Sequence, residues 1–200
     1  MFTRDVFFMD YVINQVVNDI CASIVNYGAG AIAVGTAVMP GIYALAKKKA
    51  QKCAWLFALT MYFYFVLNLT LFNRNFGQFD NGMNLTFFQM SYFFPQLTLI
   101  HLAENFMLTL PLGFLLPLGF DIFKKPYFGL LPGFVMSMII EYIQFYTGLG
   151  NFELDDIIMN TLGAVTGYFF LKAVTAYLDK KNGRAAEAAK NIELSEKQRI

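Results

Sequence analysis

Six polar side chains lie inside or at the ends of apolar runs long enough to cross a membrane: Asn105, Glu141, Gln144, Asp155, Asp156 and Asn160. A charged side chain at the centre of a membrane helix costs about 2.5–3.5 kcal/mol on insertion scales, so it usually faces a partner or a functional site. Glu141 with Asp155 or Asp156 has the composition of an acid–base pair, and His101 is the one histidine available to carry a proton. Residues 104–168 are therefore the candidate region.

The spacing of these residues predicts that they meet. Ser137, Glu141 and Gln144 follow one another at i, i+4 and i+7, which puts them on one face of a helix. Asp156 and Asn160 are one helical turn apart on the next apolar run. We therefore expect a polar pocket open to the outer leaflet, built from Arg74, His101, Asn105, Ser137, Glu141, Gln144, Asp155, Asp156 and Asn160.

The chemistry of this pocket stays open at the level of sequence. No nucleophile motif, phosphate-binding loop or metal-spaced His/Cys cluster is present, so the sequence predicts no metal site and no cofactor. If the pocket is catalytic, Glu141 and Asp156 are the candidates, but a binding site is favoured over an enzyme. The alternative is that these groups only satisfy one another between helices, as polar residues in membrane bundles often do.

The composition requires that membrane helices position these residues. The chain has 200 residues, of which 57% are hydrophobic and only 14% charged, whereas soluble domains have about 25% charged residues. Basic residues cluster in short loops and a tail, so no nucleic-acid surface is predicted. Five segments reach the required length of about 20 apolar residues. They are 22–46, 53–72, 102–120, 127–147 and 156–178.

The basic residues predict the orientation of the bundle. They follow the first, third and fifth spans at 47–52, 124–125 and 180–184, whereas Arg74 is the only one in the alternate connections. The positive-inside rule then places the N-terminus outside and the C-terminus in the cytoplasm. We expect an all-α, multi-pass protein of the bacterial cytoplasmic membrane, with one transmembrane domain over 1–178 and a cytoplasmic tail over 179–200.

The same sorting makes the outer face acidic. Arg4 and Arg74 are the basic residues placed there, against the acids Asp5, Asp10, Asp19, Asp80, Glu104, Glu141, Glu153, Asp155 and Asp156. Such a face should favour a cationic or hydrogen-bonding partner over a bare anion.

Two further segments have recognisable patterns. Residues 2–20 carry apolar side chains at helical spacing, which predicts an amphipathic helix on the outer surface before the first span. The connection 73–101 is rich in aromatic residues. It is predicted to anchor the neighbouring spans at the membrane interface, or else to form a lid over the polar pocket.

Three ordered motifs resemble the VanZ-like family. Residues 105–117 (NFMLTLPLGFLLP) are similar to its N-x-x-L-F-x-P-x-G-F-L-L-P run, and residues 137–144 (SMIIEYIQ) to its S-x-x-x-E-x-x-Q. Residues 155–168 (DDIIMNTLGAVTGY) resemble its D-D-x-x-x-N-T-x-G-x-x-x-G-Y. The resemblance covers about residues 84–170. Residues 147–154 (TGLGNFEL) lack the Arg that the family often has before its D-D pair, which leaves Arg74 as the candidate cation.

The resemblance implies a small bacterial membrane protein connected with raised resistance to teicoplanin, a lipoglycopeptide, and not to vancomycin. It implies no established chemistry. Three hypotheses follow: a pocket that binds teicoplanin or a lipid-linked cell-wall precursor among the membrane lipids, an intramembrane enzyme acting on an envelope lipid, and a non-catalytic scaffold in an envelope complex.

Overall fold

The computed structural model describes residues 2–46, 49–75, 77, 82–86, 95–125 and 127–197. Within these ranges the chain is a helix bundle, which confirms the predicted all-α class. Its helices are α1 (Phe2–Ala37), α2 (Met39–Leu45), α3 (Ala50–Leu67), α4 (Pro95–Gly119), α5 (Tyr127–Thr147) and α6 (Leu154–Lys197). A π-helical turn, Asn68–Phe72, extends α3, and a 3-10 turn, Asp121–Lys124, joins α4 to α5. Two-residue strands, β1 (Met83–Asn84) and β2 (Phe152–Glu153), pair in parallel.

Five of the described helical stretches are long and apolar enough to span a membrane, as predicted. They are Phe8–Ala37, Ala50–Phe72, Pro95–Gly119, Tyr127–Thr147 and Leu154–Arg184. Many large apolar side chains on their outer surfaces are exposed, including Val25, Phe72 and Phe169. In a membrane these faces contact lipid, so their exposure needs no protein partner.

The first span differs from its predicted bounds. Residues 2–20 are not a separate surface helix but the first half of α1, which ends at Ala37 and not near residue 46. Nothing in 2–27 breaks a helix, so the amphipathic segment continues directly into the apolar one. The break comes at Pro40, in the first turn of α2, because proline lacks the amide proton that a continuing helix requires.

Glycines bring α4 and α6 into close contact. A Cβ on Gly163 would overlap the Phe106 carbonyl oxygen and the Thr109 hydroxyl, and one on Gly167 would overlap the Leu110 carbonyl. From the facing helix, a Cβ on Gly113 would overlap the backbone of α6. Small residues of this kind allow membrane helices to pack backbone to backbone. The two helices that carry the first and third family-like motifs therefore form the rigid centre of the bundle.

Helix α1 crosses the bundle and contacts two different helices. Its first half packs Val12 and Val16 against Ile100 of α4. Its second half reaches α3, where Gly30 leaves room only for the Tyr64 ring and Gly35 for Phe57. Because α1 moves from one neighbour to the other, a wedge of space remains between α1, α3 and α4.

Candidate functional site

The polar residues of α5 and α6 form a buried network where the two helices meet. The Asn160 amide donates to the Ser137 hydroxyl at 3.0 Å, and the Thr109 hydroxyl of α4 donates to the Asn160 carbonyl at 2.6 Å. The Asn160 side-chain oxygen has no hydrogen-bond partner among the described residues, although this residue is only 2% exposed. These contacts join three apolar helices that are long enough to span a membrane, where an unpaired polar group is costly.

Glu141 lies in the same buried layer and binds the backbone. Its carboxylate accepts a hydrogen bond from the Glu153 amide at 2.9 Å, and the side chain is 1% exposed. Glu153 belongs to β2, directly before α6. Glu141 therefore ties the end of α5 to the strand that leads into the acidic residues Asp155 and Asp156.

Asp156 joins α6 to α4. The Asn105 amide donates to its carboxylate at 2.6 Å. Asp156 is in the first turn of α6, where the exposed amide groups of a helix favour negative charge. Unlike Glu141, both Asp156 and Asn105 line an open cavity.

The loops around this end of the bundle are held by backbone contacts. Gln144 donates to the Thr70 carbonyl at 2.9 Å, which links α5 to the π-helical turn after α3. Arg74 donates to the Leu149 carbonyl at 3.3 Å. Among the residues that the structure describes, no carboxylate lies within ion-pair distance of Arg74. Arg74 therefore reaches the D-D region without forming a direct ion pair to it.

The segment 82–86 crosses the same end of the molecule. Its strand β1 pairs with β2, the Phe152 amide donates to the Gly82 carbonyl at 2.9 Å, and the Gly82 amide donates to the Asn151 side chain at 3.2 Å. We call residues 82–86 the strap. The aromatic residues on which the predicted lid depends (Phe76, Phe79, Phe87, Phe88, Tyr92, Phe93 and Phe94) lie outside the described residues.

The wedge between α1, α3 and α4 is a cavity of about 1040 Å³. Its wall on α4 extends from Leu97 to Pro111, which is roughly 21 Å along a helix at 1.5 Å per residue. One end is polar and includes Arg74, Asn105 and Asp156, whereas the other is lined by apolar residues such as Val66 and Leu108. The cavity is thus amphiphilic and is at the upper limit of the usual size of small-molecule sites.

The cavity opens sideways as well as at its polar end. Ile24 of α1 is 56% exposed, and Leu97 and Met107 of α4 are 55% and 42% exposed, although all three line the cavity. Side chains that are exposed and also line the interior mark an opening between α1 and α4. We call this opening the lateral portal. The lateral portal lies on the apolar outer surface of the bundle, which contacts lipid when the protein is in a membrane.

The structure separates the predicted site residues into two groups. Those that line the cavity are Arg74, His101, Asn105, Gln144, Asp155 and Asp156. Ser137, Glu141 and Asn160 lie behind it in the packed layer between α5 and α6. The second group supports the walls through hydrogen bonds, so the polar stripes serve partly as interhelical contacts and partly as cavity lining.

The cavity lining also contains residues that were not predicted as site residues, and two of them are acids in contact with each other. The carboxyl groups of Asp19 on α1 and Glu104 on α4 are in hydrogen-bonding contact, and both line the cavity. The Gln15 amide also donates to Asp19, at 3.0 Å. The sequence placed both acids on the outer side, but only the crossing of α1 over α4 brings them together. In the described part of the chain, no group of His, Cys, Asp or Glu side chains is arranged to hold a metal ion.

Comparison with known proteins supports the motif-based interpretation. A model of the VanZ/LLP1 family matches residues 53–175, more than half of the chain and a longer stretch than the three motifs cover. The match includes most of α3, which lines the cavity beside α4. Neither curated proteins nor solved structures gave a match. Five apolar helices and this match indicate a multi-pass membrane protein, with an antibiotic-resistance context from the family. The chain belongs to the VanZ/LLP1 family.

Proposed function

We propose that this protein contributes to teicoplanin resistance by binding a lipid-anchored molecule in the cavity between α1, α3 and α4. The bound molecule is the drug itself or a lipid-linked cell-wall precursor, at the outer leaflet of the bacterial cytoplasmic membrane. The observation that carries the proposal is the amphiphilic cavity, which combines an apolar end, a polar end and the lateral portal.

The shape of the cavity suits a molecule with a lipid tail. A tail that enters through the lateral portal stays at membrane depth, against side chains such as Leu108 and Val66. The polar part then meets Asn105, Asp156 and Arg74. A glycopeptide without a lipid tail lacks the part that the apolar end would bury, which provides a physical basis for separating teicoplanin from vancomycin.

The orientation of the protein belongs to the same proposal. The distribution of basic residues puts the polar end of the cavity on the outer side. Lipid-anchored glycopeptides and the precursors that they recognise are present on that side. A cavity facing the cytoplasm would not reach either molecule.

The test is antibiotic susceptibility of a bacterium that expresses the protein, with membrane levels quantified. Wild type should raise tolerance to teicoplanin but not to vancomycin. Leu69→Trp, which fills the cavity, should remove this effect at equal abundance, whereas Leu67→Trp should retain it, because Leu67 is exposed on the same helix and does not line the cavity. Unchanged teicoplanin susceptibility with wild type, or no binding of teicoplanin and precursor to purified protein, would refute the proposal.

A second candidate is an intramembrane enzyme acting on an envelope lipid. It is favoured by the presence of Asp156, Asn105 and His101 in one cavity, where a carboxylate and an imidazole are both available for proton transfer. Glu141, buried behind the cavity, is then a structural residue. Turnover of a lipid precursor that Asp156→Asn abolishes would establish the enzyme. A scaffold is indicated instead if cavity variants lower protein level and phenotype in parallel.

A further inference from the structure

The contact between Asp19 and Glu104 is unusual for a cavity that reaches membrane depth. These carboxyl groups come from different helices and are in hydrogen-bonding contact, with both residues half-buried. Among the described residues, no Lys, Arg or His side chain lies within 4 Å of either one as an ion-pair partner. Two carboxyl groups in contact repel each other when both are ionised, so they share a proton unless a cation lies between or beside them.

The other ionisable side chains of the cavity lining are also mostly acidic. Glu153, Asp155 and Asp156 line the polar end, and among the described residues of the lining Arg74 is the one Lys or Arg side chain. The side chains around the cavity thus carry five carboxyl groups against one guanidinium. A cavity with low-dielectric walls focuses such a charge excess and raises the local concentration of cations over anions. A phosphate or pyrophosphate group would be repelled there.

We propose that the cavity binds amphiphiles whose polar end carries a protonated amine, with the apolar chain in the lateral portal. This inference deepens the proposed function and rests on the same cavity. The ammonium group donates up to three hydrogen bonds, which suits carboxylates and the Asn105 amide oxygen. The apolar chain follows Ile24, Met107 and Leu108 toward the apolar end. A ligand with a protonated amine fits this lining better than one whose polar end is a phosphate.

The experiment measures the charge preference directly. Purified protein in a nonionic detergent is titrated with hexadecylamine and, separately, with hexadecyl phosphate, and bound molecules are counted by native mass spectrometry. The two probes have the same chain and opposite charge, so a difference between them reports on the polar end. The expected result is at least about tenfold tighter binding of the amine, about 1.4 kcal/mol at 25 °C.

Two pairs of variants locate the effect. Asp19→Asn combined with Glu104→Gln should reduce the preference for the amine about tenfold, whereas Asp10→Asn removes an exposed carboxyl group of α1 outside the cavity and should preserve it. Ile24→Trp should weaken binding of both probes by narrowing the portal. Val25→Trp, on the adjacent and 78% exposed position, should not. If the double variant does not fold, Asp19→Asn alone supplies the same comparison.

Equal binding of the two probes, or tighter binding of the phosphate, would overturn the inference, as would a preference that the Asp19 and Glu104 substitutions leave unchanged. Competition separates the sources of the ligand. Displacement of hexadecylamine by teicoplanin identifies the drug, and displacement by a phosphate-free aminolipid, such as a lysine ester of diacylglycerol, identifies a membrane aminolipid. An amine preference without any effect on teicoplanin susceptibility would support this inference and reject the proposed resistance role. An effect on teicoplanin susceptibility without an amine preference would reject only the inference.

Discussion

At the scale of single residues, the buried carboxylate of Glu141 has a structural contact. It accepts the Glu153 amide proton and does not line the cavity. Glu141→Gln retains an acceptor oxygen and should preserve the fold, whereas Glu141→Ala leaves the Glu153 amide unpaired, at a cost of about 1–3 kcal/mol. Thermal unfolding in detergent and hydrogen exchange at Glu153 measure the difference. An alanine variant as stable as wild type, with the Glu153 amide still protected, would contradict this role.

Gly163 is a second residue whose side chain, or lack of one, decides local structure. Gly163→Ala would drive a methyl group into the Phe106 carbonyl and the Thr109 hydroxyl, so α4 and α6 would have to separate. Overpacking of this kind costs about 1–3 kcal/mol. Gly183→Ala on the same helix is the matched control, since nothing lies within 4 Å of its Cβ position. Denaturation in mixed detergent should show a lower free energy of unfolding for Gly163→Ala alone. An equal decrease in both variants would exclude a packing effect.

At the scale of elements, the strap depends on very few contacts. Residues 82–86 are held by the β1–β2 pairing and by the Asn151 side chain, which accepts the Gly82 amide proton. Asn151→Ala should remove about 0.5–1.5 kcal/mol of local stability and speed hydrogen exchange at Gly82 and its neighbours. Asn73→Ala is the control, because the Asn73 side chain donates to the Asn68 carbonyl within the helical end after α3. Unchanged exchange in 82–86 would show that β pairing alone holds the strap.

The two halves of α1 have different roles within the bundle. The first half closes the cavity beside α4 and supplies Asp19, and the second half fixes the helix to α3 through Gly30 and Gly35. Separate helices over 2–20 and 22–46 would not impose this crossing. The continuity of α1 is therefore what creates the wedge and positions the lateral portal.

At the scale of the whole molecule, five spans require the two ends of the chain to lie on opposite sides of the membrane. The basic residues predict that Asn73 faces out and Lys180 faces the cytoplasm. With Cys21 and Cys53 replaced by Ala, a membrane-impermeant maleimide should label Asn73→Cys in intact cells and Lys180→Cys only after permeabilisation. Both side chains are exposed, so a maleimide on the same side of the membrane can reach them. Labelling of Lys180→Cys in intact cells would reverse the orientation and the leaflet assigned to the cavity.

Much of the fold could be predicted from the sequence because its signals are local. Apolar length and composition are sufficient to predict five spans, and the bounds 127–147 agree with α5. The motifs in 105–168 predicted the family, and the match over 53–175 confirms it. Helix periodicity also placed Glu141 in the same stripe as Ser137 and Gln144. Periodicity defines a helix face but not the neighbour that the face meets, so the sequence grouped all the polar residues into one pocket.

Only the tertiary structure decided which polar residues are available to a ligand. Ser137, Glu141 and Asn160 are packed because α5 and α6 meet along that stripe, whereas Asn105 and Asp156 border the wedge left by α1. The contact of Asp19 with Glu104 depends on the path of α1 across α4, which no local pattern encodes. That path is determined by where glycines permit close approach and where larger side chains hold the helices apart. The sequence by itself thus determined the membrane bundle, its family and the set of candidate polar residues. The crossing of the helices determined the cavity.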